Sequence, residues 1–382
     1  MAAVGWPELG RRISSARERR SLSQGGLAEI AGLNQSAVSR IEAGKRPVSS
    51  LELVDIAAAL HVSVLDLLEE RPRADLAVAA RVAEASRPAS VERALTRARD
   101  ILGIQQLLDG LDVTDDRPRS YRCELPVGSP SLQGGRLASQ VRVQLGLKHE
   151  PIMRLPDLVE ERLAADVALE PMPEGVDGLI LATDRSALIL VDSDPVYGRQ
   201  RFTIAHELCH HICGDAEPSL VDEGLGFTSN LAREQRANSF AASFLMPIEG
   251  IRARLDGRPI DEEAVIDLTF EYGISLEAFT WHAHKAHLID REFGKYLRAA
   301  GPKQLAFKHG HVADWEETQR LRRIIRPPAH LLRRAFEAYQ LGKIGIGPIA
   351  VLMLRNDPEA LRAELAASGI SPHLREVEDS RS

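Results

Sequence analysis

Arg201-Phe202-Thr203-Ile204-Ala205-His206-Glu207-Leu208-Cys209-His210-His211 is the stretch on which the reading of this 382-residue chain turns. It contains His-Glu-x-x-His set among apolar residues, with Ile212 one position further on. Apolar residues at this spacing predict a helix over roughly 199–213, anchored to a core. On a helix, positions i and i+4 stack on one face, so His206 and His210 can grip one Zn²⁺ together. Glu207 points to the side, where its carboxylate can reach a water at the metal. Zinc lowers the pKa of such a water towards ~7, and Glu207 takes its proton as it attacks a peptide carbonyl.

Two His ligands need a third. Glu234 lies 24 residues beyond His210, on the next predicted helix, 231–245. Asn238 follows one turn later on the same face, able to hold a ligand histidine from behind. A rival set runs along a single helix: His206, Cys209, His210 and Cys213 occupy i, i+3, i+4 and i+7. Four ligands on one rod do not readily surround a tetrahedral ion, because structural zinc sites draw on two elements. Both cysteines then read as small buried hydrophobes. His211 points away from the pair, as a packing or surface residue.

Working outward, strand-like runs at 178–183 and 186–192 precede this helix, separated by Thr183-Asp184-Arg185 as a turn. Two helices are predicted before them, at 136–147 and 155–165, and two more after 245, at 261–272 and 275–287. Residues 75–112 look helical, and 113–135, rich in Asp, Pro, Ser and Gly, read as a linker or long loop. The tail, 312–368, is helical again around Leu331, Leu332, Phe336, Ile349 and Leu352, with a break at Gly347-Pro348.

At the other end, residues 8–70 read as five short helices. Ser23 and Asn34 are placed as N-caps, Gly32 and Gly44 as helix stops, and Ser49 with Glu52 as a capping box. Ser63 with Asp66 signals the fifth helix. Residues 1–50 carry eight Lys or Arg against four Glu, so this head is +4 while the rest of the −7 chain is −11. A basic head on an acidic body predicts a local contact with DNA. The third helix presents Gln35, Ser36, Ser39 and Arg40 outward, where they can read base edges in the major groove. Gln24 at a helix N-terminus can grip a phosphate, with Lys45 and Arg46 on the backbone. The competing interpretation is a small helical bundle with a merely solvated basic face.

The central blocks resemble the ImmA/IrrE-type metallopeptidases of bacteria and phages. The resemblance rests on Arg199 to Leu208, on Glu234-Gln235-Arg236-Ala237-Asn238-Ser239-Phe240-Ala241-Ala242 ending in Leu245-Met246-Pro247, and on Tyr272-Gly273-Ile274-Ser275 with Leu288-Ile289. It spans roughly 140–290. It implies a gluzincin-like fold, His206, His210 and Glu234 as ligands, Glu207 as catalyst, and a helix-turn-helix repressor as the protein acted on. Cys209 stands where the family usually has Gly, and Arg236 where it usually has a second Glu. Residues 10–68 in turn resemble the Xre or phage-repressor type of helix-turn-helix, which binds half-sites as a dimer.

The expected architecture is therefore mainly α with a small β component. A five-helix helix-turn-helix domain covers 1–70, a helical connector and loop 71–135, a gluzincin-like α+β zinc metallopeptidase domain 136–292, and a helical region 293–382. The expected partners are an operator in double-stranded DNA, a protein substrate (a helix-turn-helix repressor or the chain itself) and a second copy of the chain. Three cysteines build no disulfide framework, and the longest apolar run, 344–354, falls well short of a membrane span. The N-terminus lacks the basic-then-apolar order of a signal peptide, so the cytoplasm is the expected location. The other function class left open is a transcription factor that uses a peptidase-like fold as a sensor or dimeriser without turnover; a further idea gives 312–368 a partner-docking role.

Overall fold

The computed structural model describes residues 5–19, 22–60, 67, 77–82, 88–111, 113, 115–118, 120–183, 186–215 and 231–372. The chain divides into two compact units, Met1–Ala74 and Asp75–Ser382.

In the first unit four helices follow one another: α1 (Trp6–Arg19), α2 (Gln24–Ile30), α3 (Gln35–Glu42) and α4 (Ser50–Leu60). The caps fall where the sequence puts them. Ser23 Oγ accepts from Gly26 N at 3.0 Å and Asn34 Oδ1 from Ala37 N at 2.8 Å. Gly32 and Gly44 have φ of +65° and +66°, the left-handed region that glycine enters freely. Ser49 and Glu52 exchange hydrogen bonds as a capping box. Leu9, Ile13, Leu27, Val38, Ile41 and Ile56 form the core. Gly10 lets α1 lie on α3, since a Cβ there would sit 2.3 Å from the Ile41 carbonyl oxygen. The expected fifth helix falls outside the described residues, apart from Leu67, which is buried against this core.

The second unit is built on a four-stranded sheet in the order β1-β3-β4-β2, from β1 (Ala77–Val82), β2 (Asp166–Glu170), β3 (Val176–Ala182) and β4 (Ala187–Asp192). β2 pairs parallel with β4, whereas β3 runs antiparallel to both β4 and β1. Helices cover both faces, and period-two alternation sorts the side chains between them. Ile180, Ala182, Ile189, Val191 and Val167 face one core; Leu179, Leu181, Leu188, Leu190 and Ala168 face the other.

The first core is closed by α6 (Pro130–Leu145), α7 (Leu155–Arg162), α8 (Tyr197–Cys213), α9 (Leu231–Leu245), α10 (Ile248–Leu255), α11 (Glu262–Tyr272), α12 (Leu276–Lys285) and α13 (Arg291–Lys308). The second is closed by α5 (Pro88–Gly110), α15 (Ala329–Gln340), α16 (Gly347–Leu352) and α17 (Pro358–Ala367). A short α14 (Val312–Arg320) links the two sets and buries no residue.

Three expectations change. Residues 77–82 form a strand, although Ala-rich sequence favours a helix: pairing along β3 overrides local propensity. The linker expected over 113–135 is already helical from Pro130. From Asp75 onward the presumed connector and the C-terminal region fall within one unit with the centre, because α5 and α15–α17 supply the cover for the sheet's second face. β2 and α10 are further elements absent from the sequence reading. Asp184 and Arg185, the expected turn, lie outside the described residues. No helix among those described is long and apolar enough to cross a membrane.

Candidate metal centre

α8 and α9 carry the site, and their packing sets it. Both helices run through the core below the sheet, and α9 is clamped on its other side by α6. Gly134 in α6 permits that approach: a Cβ there would lie 2.2 Å from the Arg236 carbonyl oxygen. Gly178 does the same for β3 on α8, where a Cβ would meet Thr203 Cγ2 at 2.6 Å. Arg201, buried at the start of α8, donates to the Ile152 carbonyl at 2.6 Å and so fixes the helix against the preceding loop.

One turn later the ligand candidates converge. His206 Nε2 lies 3.2 Å from Glu234 Oε2, His210 Nε2 lies 3.4 Å from Glu234 Oε1, and the two Nε2 atoms are 3.2 Å apart. Bonds of ~2.0–2.1 Å in a tetrahedral zinc site put neighbouring donors ~3.3–3.4 Å apart. Each Glu234 oxygen thus stands about one such spacing from one histidine Nε2, a cluster that can close on such an ion, and a neutral-imidazole and carboxylate donor set suits it chemically. Among the described residues this is the group of His, Cys, Asp and Glu side chains placed to share a metal. Glu207, beside His206, is fully buried.

Electrostatics reflect this crowding. Burial works against charge on His210, yet Asp215 and Glu234 outweigh it and push its pKa up to about 10. Burial likewise opposes ionisation of Glu234, but the hydrogen bonds from His206 and His210 hold its carboxyl well below the usual carboxylate range. A cation at this point takes over the role that protons play in these pairs.

Behind the triangle, Asn238 Oδ1 lies 3.1 Å from His206 Nδ1, where the spacing of α9 put it. The partner of the other histidine was not seen in the sequence. Gly214 ends α8 with φ +68°, turning the chain so that Asp215 comes back to His210, Oδ2 to Nδ1 3.3 Å. Arg236 then forks onto Asp215 at 2.7 and 2.6 Å, which gives the residue departing from the family pattern a definite place. The legible signal was an acidic residue just past a glycine helix stop, five positions after the second histidine.

The cysteines stand apart from the ion site. Cys209 and Cys213 are neighbours, Sγ to Sγ 3.9 Å, with Cys209 buried and Cys213 partly so. His211 is buried on the far side of α8, where Arg122 donates to its carbonyl at 2.6 Å. Burial, with Arg122 adding to it, lowers its pKa to about 3, so it stays neutral.

In the head, Gln35, Ser36, Ser39, Arg40 and Lys45 are exposed on α3 and just beyond it. Arg46 is half-buried and pairs with Glu52 at 2.7 Å. Gln24 is turned inward: its amide donates to Glu42 Oε2 at 2.8 Å, beside the Arg17–Glu42 ion pair.

Fold and site thus define a small helical head joined to a helix-covered sheet unit in which His206, His210 and Glu234 are placed to share a metal ion. Residues 160–281 match the IrrE N-terminal-like domain family and residues 13–67 the helix-turn-helix family, so the chain joins one domain of each kind. Among solved structures, the restriction-modification controller protein C.AhdI from Aeromonas hydrophila is 34% identical over 16% of this chain and 94% of its own, with a TM-score of 0.16. PlcR from Bacillus thuringiensis, solved with the peptide PapR7 and DNA, is 12% identical over 95% of this chain and 97% of its own, with a TM-score of 0.17. No curated protein matches the chain.

Proposed function

We propose that this chain is a cytoplasmic transcription regulator whose central domain is a zinc endopeptidase, acting on a helix-turn-helix repressor or on the chain itself in a stress or mobile-element response. The observation that carries the reading is the 3.2–3.4 Å triangle of His206, His210 and Glu234 with the buried carboxylate of Glu207 one residue from a ligand. Bound zinc would act as a Lewis acid on a peptide carbonyl and lower the pKa of the attacking water. His206 and His210, with Glu234, would hold the ion, the two rings being kept in orientation at Nδ1 by Asn238 and Asp215 respectively. Glu207 accepts the proton from the water and returns it to the leaving amine, so that water is added across the peptide C–N bond. Gln35, Ser36, Ser39 and Arg40 are assigned to base edges and Lys45 to phosphate, with a homodimer spanning two half-sites.

The test compares zinc-loaded wild type with Glu207→Gln, each incubated with helix-turn-helix repressors and alone, followed by intact mass. Cleavage by wild type only supports the reading. Equal products, or none from either, would leave a zinc-bearing sensor or dimeriser in its place.

A further inference from the structure

The sheet of the second unit has two sides to protect. Beyond β2, the backbone of Arg326 exchanges hydrogen bonds with Leu169, 2.9 and 2.8 Å, and blunts that edge. The opposite edge is β3, and what lies on it is β1, a strand drawn from the stretch between the helix-turn-helix and the rest of the chain. Its register is regular from Ala77 opposite Ala182 to Arg81 opposite Gly178, and shifts at Val82.

Position gives this pairing its meaning. β3 lies on α8, with Gly178 against Thr203, one helical turn ahead of His206 and Glu207. β1 in turn contacts α8 as well as β3. An extended peptide laid on the β3 edge therefore runs alongside the helix that bears the site. Edge strands are templates for such peptides: main-chain hydrogen bonds give affinity, with little demand on sequence. A peptidase must hold its substrate extended for the carbonyl to be attacked, and this edge offers that hold.

We infer that the β3 edge is the peptide-binding cradle of the metal site and that residues 77–82 are its built-in occupant, closing it until they leave. The inference rests on the peptidase reading for the purpose of the cradle, but peptide binding to the edge can be measured without turnover. Release of this one segment opens the cradle while the sheet, the helices and the ligands stay in place.

The probe is a fluorescein-labelled synthetic peptide of residues 75–84, titrated against the full chain by anisotropy in a Glu207→Gln background. In Ala79→Pro/Ala80→Pro, one of the two prolines removes a ladder N–H whichever residue donates it, and the strand leaves β3. The double variant should bind the peptide about tenfold or more tightly than its parent, since the competent fraction rises. Hydrogen exchange on the unmutated chain provides a reading that no folding defect can mimic. Residues 77–82 should be protected there, and should lose protection in the double variant while 231–245 keep it. Unprotected 77–82 in the parent chain, or equal peptide affinity in parent and folded double variant, overturns the inference. A double variant with Glu207 restored that binds the peptide yet, zinc-loaded, cuts neither helix-turn-helix repressors nor itself leaves the cradle standing and removes the peptidase reading instead.

Discussion

Asp215 Oδ2 lies 3.3 Å from His210 Nδ1 while Arg236 grips the same carboxylate at 2.6 and 2.7 Å, so a residue outside the His-Glu-x-x-His motif holds one of its histidines. The carboxylate orients the ring, leaves Nε2 facing the triangle and raises the basicity of the imidazole. Arg236 keeps Asp215 ionised and in place. Asp215→Asn should therefore weaken zinc binding by about 10–100-fold with the fold intact. Competition against a chromophoric chelator measures it, and an unchanged affinity would mean that Asp215 serves only the helix end.

Glu207 and its neighbours divide the work differently. Glu207→Gln should retain about one zinc per chain and lose hydrolysis by roughly 10²–10⁴-fold, the range for removing a general base. His206→Ala and His210→Ala should lose the metal itself. Metal analysis beside a cleavage assay separates these outcomes; a Glu207→Gln protein without zinc would move Glu207 from base to ligand.

Acid should destabilise the second unit through buried histidines. His282 contacts the Met246 carbonyl through Nε2 at 3.0 Å, and burial lowers its pKa to about 4. His330 is lowered to about 4 as well, by burial first and then by Arg117. An unfolded histidine titrates near ~6.5, so below that pH the unfolded chain takes a proton that the folded one refuses. The stabilisation is complete above pH ~6.5 and is lost as pH falls towards ~4, on the order of 3 kcal/mol for His282. His282→Gln, which keeps an N–H donor, should show a shallower fall of Tm between pH 7 and 4.5. Parallel slopes would locate the acid sensitivity elsewhere.

Helix approach at glycine sets the metal geometry, and it can be tested by adding one carbon. In Gly134→Ala the new Cβ meets the backbone of α9 at 2.2 Å, contact that no side-chain rotation relieves. The expected cost is about 1–3 kcal/mol in urea unfolding, with weaker zinc binding as α9 and Glu234 shift. Gly135→Ala, which meets only Ser243 Oγ at 3.6 Å, is the control and should be near neutral. Equal behaviour of the two would show that α6 does not set the position of Glu234.

In the head, Arg40 and Gln24 should part company. Arg40 is exposed on α3 and Arg40→Ala should weaken specific DNA binding by ~1–3 kcal/mol. Gln24→Ala removes a donor to Glu42 and should lower Tm more than affinity. Anisotropy on operator DNA beside a thermal melt decides it, and a larger DNA loss for Gln24 would return that residue to the phosphate.

What the sequence determined by itself was whatever depends on local geometry. A helical repeat fixes which residues share a face, so the pairing of His206 with His210, and of Glu234 with Asn238, could be read without a fold. Caps and stops are equally local, and Ser23, Asn34, Gly32 and Gly44 act where their chemistry requires. The covered sheet was half legible, because strands buried on both faces read as continuous apolar runs. Tertiary structure decided the rest. Only packing engages Arg236 with Asp215 and turns Gln24 towards Glu42. Only the open edge of β3 makes an Ala-rich segment a strand, since pairing energy along an edge outweighs the small helix preference of each alanine. The His-Glu-x-x-His motif was written in one helix; Glu234, Asn238 and Arg236, which complete and hold the site, come from the next.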